Sequence, residues 1–104
     1  MHPLIAENLP QLRELCRRHH VRTLSLFGSA ATGGFDPARS DIDLLVEFER
    51  IDEPGGNADA YFGLLDSTRQ LFGRKVDLVC RGAIVNPLFR EIVESSKVPL
   101  YAAA

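Results

Sequence analysis

Apolar residues recur at helical spacing over the first twenty positions, then switch to the alternation of a strand. Ile5, Leu9, Leu12, Leu15 and Cys16 form one stripe within residues 3–20. Pro10 cannot occupy a helix interior without breaking the hydrogen-bond ladder. It fits the first turn of a helix capped by Asn8, with residues 3–8 a separate turn or kinked lead-in. Val21–Phe27 is β-branched and apolar and predicts a strand ending at Gly28, and residues 29–33 have the composition of a helical turn. The run Gly33-Gly34-Phe35-Asp36-Pro37 must be loop.

A second strand is predicted over Asp41–Phe48. Its alternation puts Ile42, Leu44, Val46 and Phe48 on one face, and Asp41, Asp43, Leu45 and Glu47 on the other. Pro54-Gly55-Gly56 breaks the chain. Asn57 is placed to cap a helix from Ala58 to Phe72, with Tyr61, Leu64, Leu65, Thr68, Leu71 and Phe72 inward and Gly73 as its stop. Lys75–Cys80 predicts a third strand, with Val76, Leu78 and Cys80 on one face and Lys75, Asp77 and Val79 on the other. Asn86-Pro87 opens a helix over 87–96 whose apolar face is Leu88, Phe89, Ile92 and Val93. Val98–Tyr101 closes as a short edge strand. The order implies a single α/β domain over 1–104: a small mixed sheet with helices mainly on one face and the other face left open.

Composition adds exclusions. Twelve Lys and Arg against fourteen Asp and Glu give a net charge of −2, so no global basic field marks a nucleic-acid binder. The one basic cluster, Arg13, Arg17, Arg18, His19, His20 and Arg22, lies largely in the last turn of the first helix, where cations complement the helix dipole. Cys16 and Cys80 are too few for a disulfide framework and lack metal-type spacing, so both are expected to be reduced and buried. No signal peptide, lipidation motif or run of membrane-spanning length is visible, and a cytoplasmic protein with no membrane association is expected.

The candidate chemistry sits between Leu26 and Phe48. Asp41 and Asp43 are two apart in a strand, so both carboxylates face one way. Asp77 lies centrally in an apolar strand, where an isolated charge is costly unless paired or metal-bound. If the second and third strands pair with matching faces, three carboxylates converge, and two magnesium ions would neutralise them. On spacing alone the same residues also fit surface charges at a turn, a strand start and a sheet edge. Gly28-Ser29 permits close backbone approach to a phosphate, although a Gly-Ser pair alone is commonly just a turn. There is no GxxxxGK[ST], which excludes a P-loop. An EF-hand loop counted from Asp41 would put Leu45 at a ligand position.

Taken together, the order is a strand, Gly28-Ser29, eleven residues, Asp41-Ile42-Asp43 in a strand, then Asp77 in a later strand. It resembles the nucleotidyltransferase superfamily of DNA polymerase beta type, in particular its minimal nucleotidyltransferase (MNT) domains. The likeness runs from the Leu24–Gly28 strand to the closing Val98-Pro99-Leu100-Tyr101. The resemblance implies that Asp41, Asp43 and Asp77 bind two Mg2+ ions, with Asp77 also helping to activate the incoming hydroxyl. It implies that Gly28 and Ser29 hold the outer phosphates of ATP, and that Ser40 orients the loop or contacts the nucleotide. Lys75 and Arg39 could each touch phosphate or simply be solvated.

Little chain follows the third strand, so the acceptor is expected to come from a partner. MNT domains of this type pair with HEPN proteins, many of them toxic ribonucleases. The resemblance therefore implies a protein adenylyltransferase antitoxin that transfers AMP to a tyrosine of a HEPN toxin, with oligomerisation possible through that partner. The alternatives are an antitoxin acting by binding alone, or a nucleotidyltransferase acting on RNA or a small molecule. Direct nucleic-acid binding is not expected.

Overall fold

The computed structural model describes residues 2–34, 36 and 41–104. Two short helices open the chain, α1 (Pro3–Glu7) and α2 (Leu9–Arg18), followed by strand β1 (Val21–Phe27) and the single turn α3 (Ser29–Thr32). Then come β2 (Ile42–Phe48), the long helix α4 (Gly56–Phe72), β3 (Val76–Cys80), a 3-10 turn at Arg81–Ala83, α5 (Pro87–Ser96) and β4 (Val98–Ala102). The four strands form one mixed sheet in the order β3-β2-β1-β4. β1 is antiparallel to both β2 and β4, and β2 is parallel to β3. A parallel pair needs a long crossover, and α4 is that crossover.

The expected face assignments account for the core. Leu24 and Leu26 of β1, Ile42, Leu44 and Val46 of β2, and Val76 and Leu78 of β3 are buried together with Ile5, Leu12, Cys16, Leu64 and Phe72 from the helices. One face of the sheet is therefore covered by α1, α2 and α4. The other face is not fully open. Phe27, Leu45, Ile84 and Val93 form a second, smaller buried cluster there, so α5 and the segment before it shield part of it. Leu88, Phe89 and Ile92, read from the sequence as inward, remain 66%, 42% and 54% exposed. The second face offers too little apolar surface to bury more than the Val93 edge of α5.

Two caps differ from expectation. Asn8 occupies the N-cap position of α2, but its side-chain amide donates to the Leu4 carbonyl and so serves the end of α1 (2.8 Å). Its backbone there (φ −100°, ψ 5°) lacks the extended geometry of a helix N-cap. Helix α4 begins at Gly56, ahead of the predicted Ala58, because Gly55 turns left-handed (φ 75°) and starts the helix before Asn57. Asn86 does cap α5, its Oδ1 accepting from the Leu88 and Phe89 amides. Both cysteines are free thiols: Cys16 is buried, with its pKa pushed up to about 12 by desolvation, and Cys80 is half-buried. Among the described residues, no helix is long and apolar enough to cross a membrane.

Candidate active site

Parallel pairing of β2 with β3 sets Asp43 directly opposite Asp77. Antiparallel pairing of β1 with β2 sets Phe27, the residue before Gly28, opposite Asp43. Three strands thus deliver Gly28, Asp43 and Asp77 to one end of the sheet. Asp41 precedes β2 and lies two positions from Asp43, on the same face by strand alternation.

Gly28 is required here on two grounds. Its backbone has φ 67° and ψ −150°, a region that side-chain-bearing residues rarely adopt. A Cβ on it would also lie 2.2 Å from Asp43 Oδ2. The bare backbone therefore lies directly against the Asp43 carboxylate. The Gly28 carbonyl accepts from the amides of Ala31 and Thr32 and from the Thr32 hydroxyl, which holds the turn closed. Ser29 begins that turn, half-exposed, one residue beyond the contact with Asp43.

The electrostatics show that the carboxylates interact. The Asp43 pKa is raised from 3.8 to about 6, chiefly by desolvation, then by the charges of Asp77 and Asp41 and a hydrogen bond with Asp77. Lys75 opposes this: its Nζ lies 3.5 Å from Asp41 Oδ2 and 4.0 Å from Asp77 Oδ1. The ammonium bridges two of the three carboxylates and partly neutralises them. The Lys75 side chain is itself 63% exposed. Among the described residues, no three carboxylate, imidazole or thiolate groups stand in a ready-made ligand cage. The donor set fits a hard divalent cation all the same. It is all oxygen and half-exposed, and burial together with the charges of Asp77 and Asp41 raises the Asp43 pKa, a cost that a bound cation would offset.

The carboxylates open onto a cleft of about 360 Å³, of a size that accommodates small ligands. Asp43 and Asp77 stand on its wall, with Phe27 and Phe89 in edge-to-face contact at 6.4 Å, and with Tyr61 and Arg69 reaching over from α4. A larger hollow of about 470 Å³ between α2 and α4 contains one carboxylate, Glu14, and lies on the opposite face of the sheet. Sequence reasoning singled out Asp41, Asp43, Asp77, Gly28 and Ser29 as candidates, and the structure brings them to one end of the sheet. Ser40 and Arg39 lie outside the described residues. The reasoning did not find Tyr61 and Arg69, which carried no signal beyond a helical stripe and a surface charge.

This arrangement is that of a nucleotidyl-transferring fold, and comparison with known proteins agrees. Residues 9–100 match the nucleotidyltransferase domain family, and the chain belongs to that family. Two Methanocaldococcus jannaschii proteins, each named as a candidate protein adenylyltransferase, are 30% and 31% identical to it. In each case the match spans 88% of this chain and 97% of the relative. A solved structure described as a candidate minimal nucleotidyltransferase superposes with a TM-score of 0.76 at 30% identity, covering 92% of both chains. A toxin–antitoxin structure with AMP-PNP aligns at TM-score 0.69 and 22% identity, over 92% of this chain and 74% of that one. A complex of a tri-AMPylated Shewanella oneidensis HEPN toxin with an MNT antitoxin aligns at 0.63 and 19%, over 94% and 72%. The last two likenesses show the shared fold.

Proposed function

We propose that this nucleotidyltransferase is a magnesium-dependent protein adenylyltransferase, an antitoxin that transfers AMP from ATP to a tyrosine of a HEPN-type toxin. The observation that carries the reading is the Asp43–Asp77 register pair with the bare Gly28 backbone against it. The names of the M. jannaschii relatives support a protein acceptor, as does the AMPylated toxin in a complex of the same fold. The outer face of α5 also supports it. Leu88 and Ile92 are exposed there, continuous with Phe89 at the cleft, and offer a macromolecule an apolar surface that a small acceptor would not use.

In this reading Asp41, Asp43 and Asp77 hold the divalent ions, which supply charge neutralisation for the triphosphate and acidify the acceptor hydroxyl. Gly28 and Ser29 bind the outer phosphates: the glycine lets the backbone come close, and the serine adds a hydroxyl donor. Lys75 exchanges its carboxylate contacts for the incoming phosphate charge. Ser40, adjacent to Asp41 in the sequence, contributes to nucleotide binding. Asp77 orients the acceptor hydroxyl, whose proton passes to the carboxylate cluster. The hydroxyl oxygen attacks the α-phosphorus in line. The new oxygen–phosphorus bond forms as the bond to pyrophosphate breaks. The chain's contribution is position and fixed charge.

Asp41→Asn and Asp43→Asn should each reduce AMP transfer by at least 100-fold while the domain stays folded, an effect of the size expected when a charge-stabilising group is lost. Intact-mass measurement of the partner after incubation with this protein, ATP and Mg2+ reads the reaction as a gain of one or more AMP units. Partner modification at the wild-type rate by these variants would overturn the site. A binding-only antitoxin, which the exposed face of α5 would also suit, predicts neutralisation that survives the double Asp41/Asp43 replacement without ATP.

A further inference from the structure

β3 is an edge strand, with β2 as its one strand neighbour among the described residues. The Ile42 amide donates to the Lys75 carbonyl, so the backbone groups of Lys75 and Asp77 face β2 and those of Val76 and Leu78 face outward. An edge strand with one partner is the least restrained strand of a sheet. Here it carries Asp77, set directly opposite Asp43 of β2.

Two side chains of α4 occupy that outer edge. The Tyr61 hydroxyl donates to the Leu78 carbonyl at 2.7 Å. The Arg69 guanidinium donates to the Val76 carbonyl at 3.3 Å. These carbonyls belong to the residues immediately before and after Asp77. Tyr61 and Arg69 are eight positions apart in α4, and β3 runs back alongside that helix after the left-handed turn at Gly73, so the later helix residue meets the earlier strand carbonyl. Leu65, between them, lines the same cleft.

We infer that Tyr61 and Arg69 are positioning residues that clamp β3 on both sides of Asp77 and so hold its carboxylate beside Asp43 at the separation a shared divalent cation requires. The inference rests on the transferase reading for the role of Asp77. Neither side chain is a ligand. Both act through the backbone, as outer groups around metal sites commonly do. The same contacts blunt the edge against addition of a foreign strand.

The test uses Mn2+ as the probe, its binding to the full chain followed by electron paramagnetic resonance, beside thermal unfolding of each variant. Tyr61→Phe and Arg69→Gln should each weaken Mn2+ binding roughly tenfold, in the range known for groups one step removed from a metal. Arg69→Lys, which keeps a donor, should recover part of the loss. Arg69→Gln alters an exposed side chain and keeps the test decisive should Tyr61→Phe prove too unstable to measure. Leu15→Ala, which loosens α2 far from β3, serves as the control: it should lower the unfolding temperature yet leave Mn2+ affinity unchanged. Wild-type affinity in Tyr61→Phe and Arg69→Gln overturns the clamp, and so does an equal loss in Leu15→Ala. Absence of Mn2+ binding by the wild type, or undiminished binding by Asp43→Asn, overturns the metal-site reading and the clamp with it.

Discussion

Asp43 is the residue on which the local physics converges. Its carboxyl is half-buried against Gly28 and faces Asp77 and Asp41, so the folded chain favours its protonated form. A folded pKa of about 6 against an ordinary 3.8 means that the folded state binds the proton more tightly than the unfolded one. The stabilisation from this group is therefore fully present below pH 3.8 and is lost as pH rises through about 6. In calorimetric melts of the metal-free protein, wild-type stability should fall between about pH 4 and about pH 7 by an amount that Asp43→Asn removes. Added Mg2+ should restore it at neutral pH in the wild type and leave Asp43→Asn unmoved. The pair Asp41-Ile42-Asp43 was legible in the sequence because strand alternation alone puts both carboxylates on one face. The steric demand at Gly28 was not, since it depends on which strand lies beside it.

At the scale of elements, local chemistry set most boundaries. Asn86-Pro87 starts α5 where the sequence placed it, because both the cap and the fixed proline dihedral are local properties. Asn86→Ala should cost about 1 kcal/mol, read as a lower urea midpoint with unchanged slope. Asn8 and Asn57 were placed by the same logic and miss because neighbouring geometry intervenes. At Asn8 a preceding helix end claims the side chain, and at Asn57 a left-handed glycine starts the helix earlier. The clamp on β3 belongs to this scale too. Tyr61 and Arg69 gain their partners only because α4 is folded back along an edge strand, and no periodicity in the sequence announces that.

The whole molecule is an unequal two-sided sheet. The large cluster under α1, α2 and α4 carries stability, while the smaller one of Phe27, Leu45, Ile84 and Val93 braces the face of the candidate site. Leu44→Ala, in the fully buried face of the central strand β2, should destabilise by about 3–4 kcal/mol. Val93→Ala, which removes two methyl groups from the smaller cluster, should cost about 1.5–2.5 kcal/mol. Denaturant unfolding of the two variants, followed by the same probe, measures both. The ordering should hold because cavity cost depends on how completely the surrounding side chains are packed.

The strands, their two faces, the long helix after the second strand and the residues of the candidate site were legible in the sequence alone. Hydrophobic alternation, proline and glycine act over a few residues, and Gly28-Ser29, Asp41 and Asp43 lie within one short stretch. Only the tertiary structure decided that Asp77 stands opposite Asp43, that Gly28 packs against that carboxylate, that Lys75 bridges Asp41 and Asp77, and that two α4 side chains grip the edge strand. Each of these depends on strand order and register, which are set by burying the large core. They join residues up to dozens of positions apart, a distance over which local pattern carries no information.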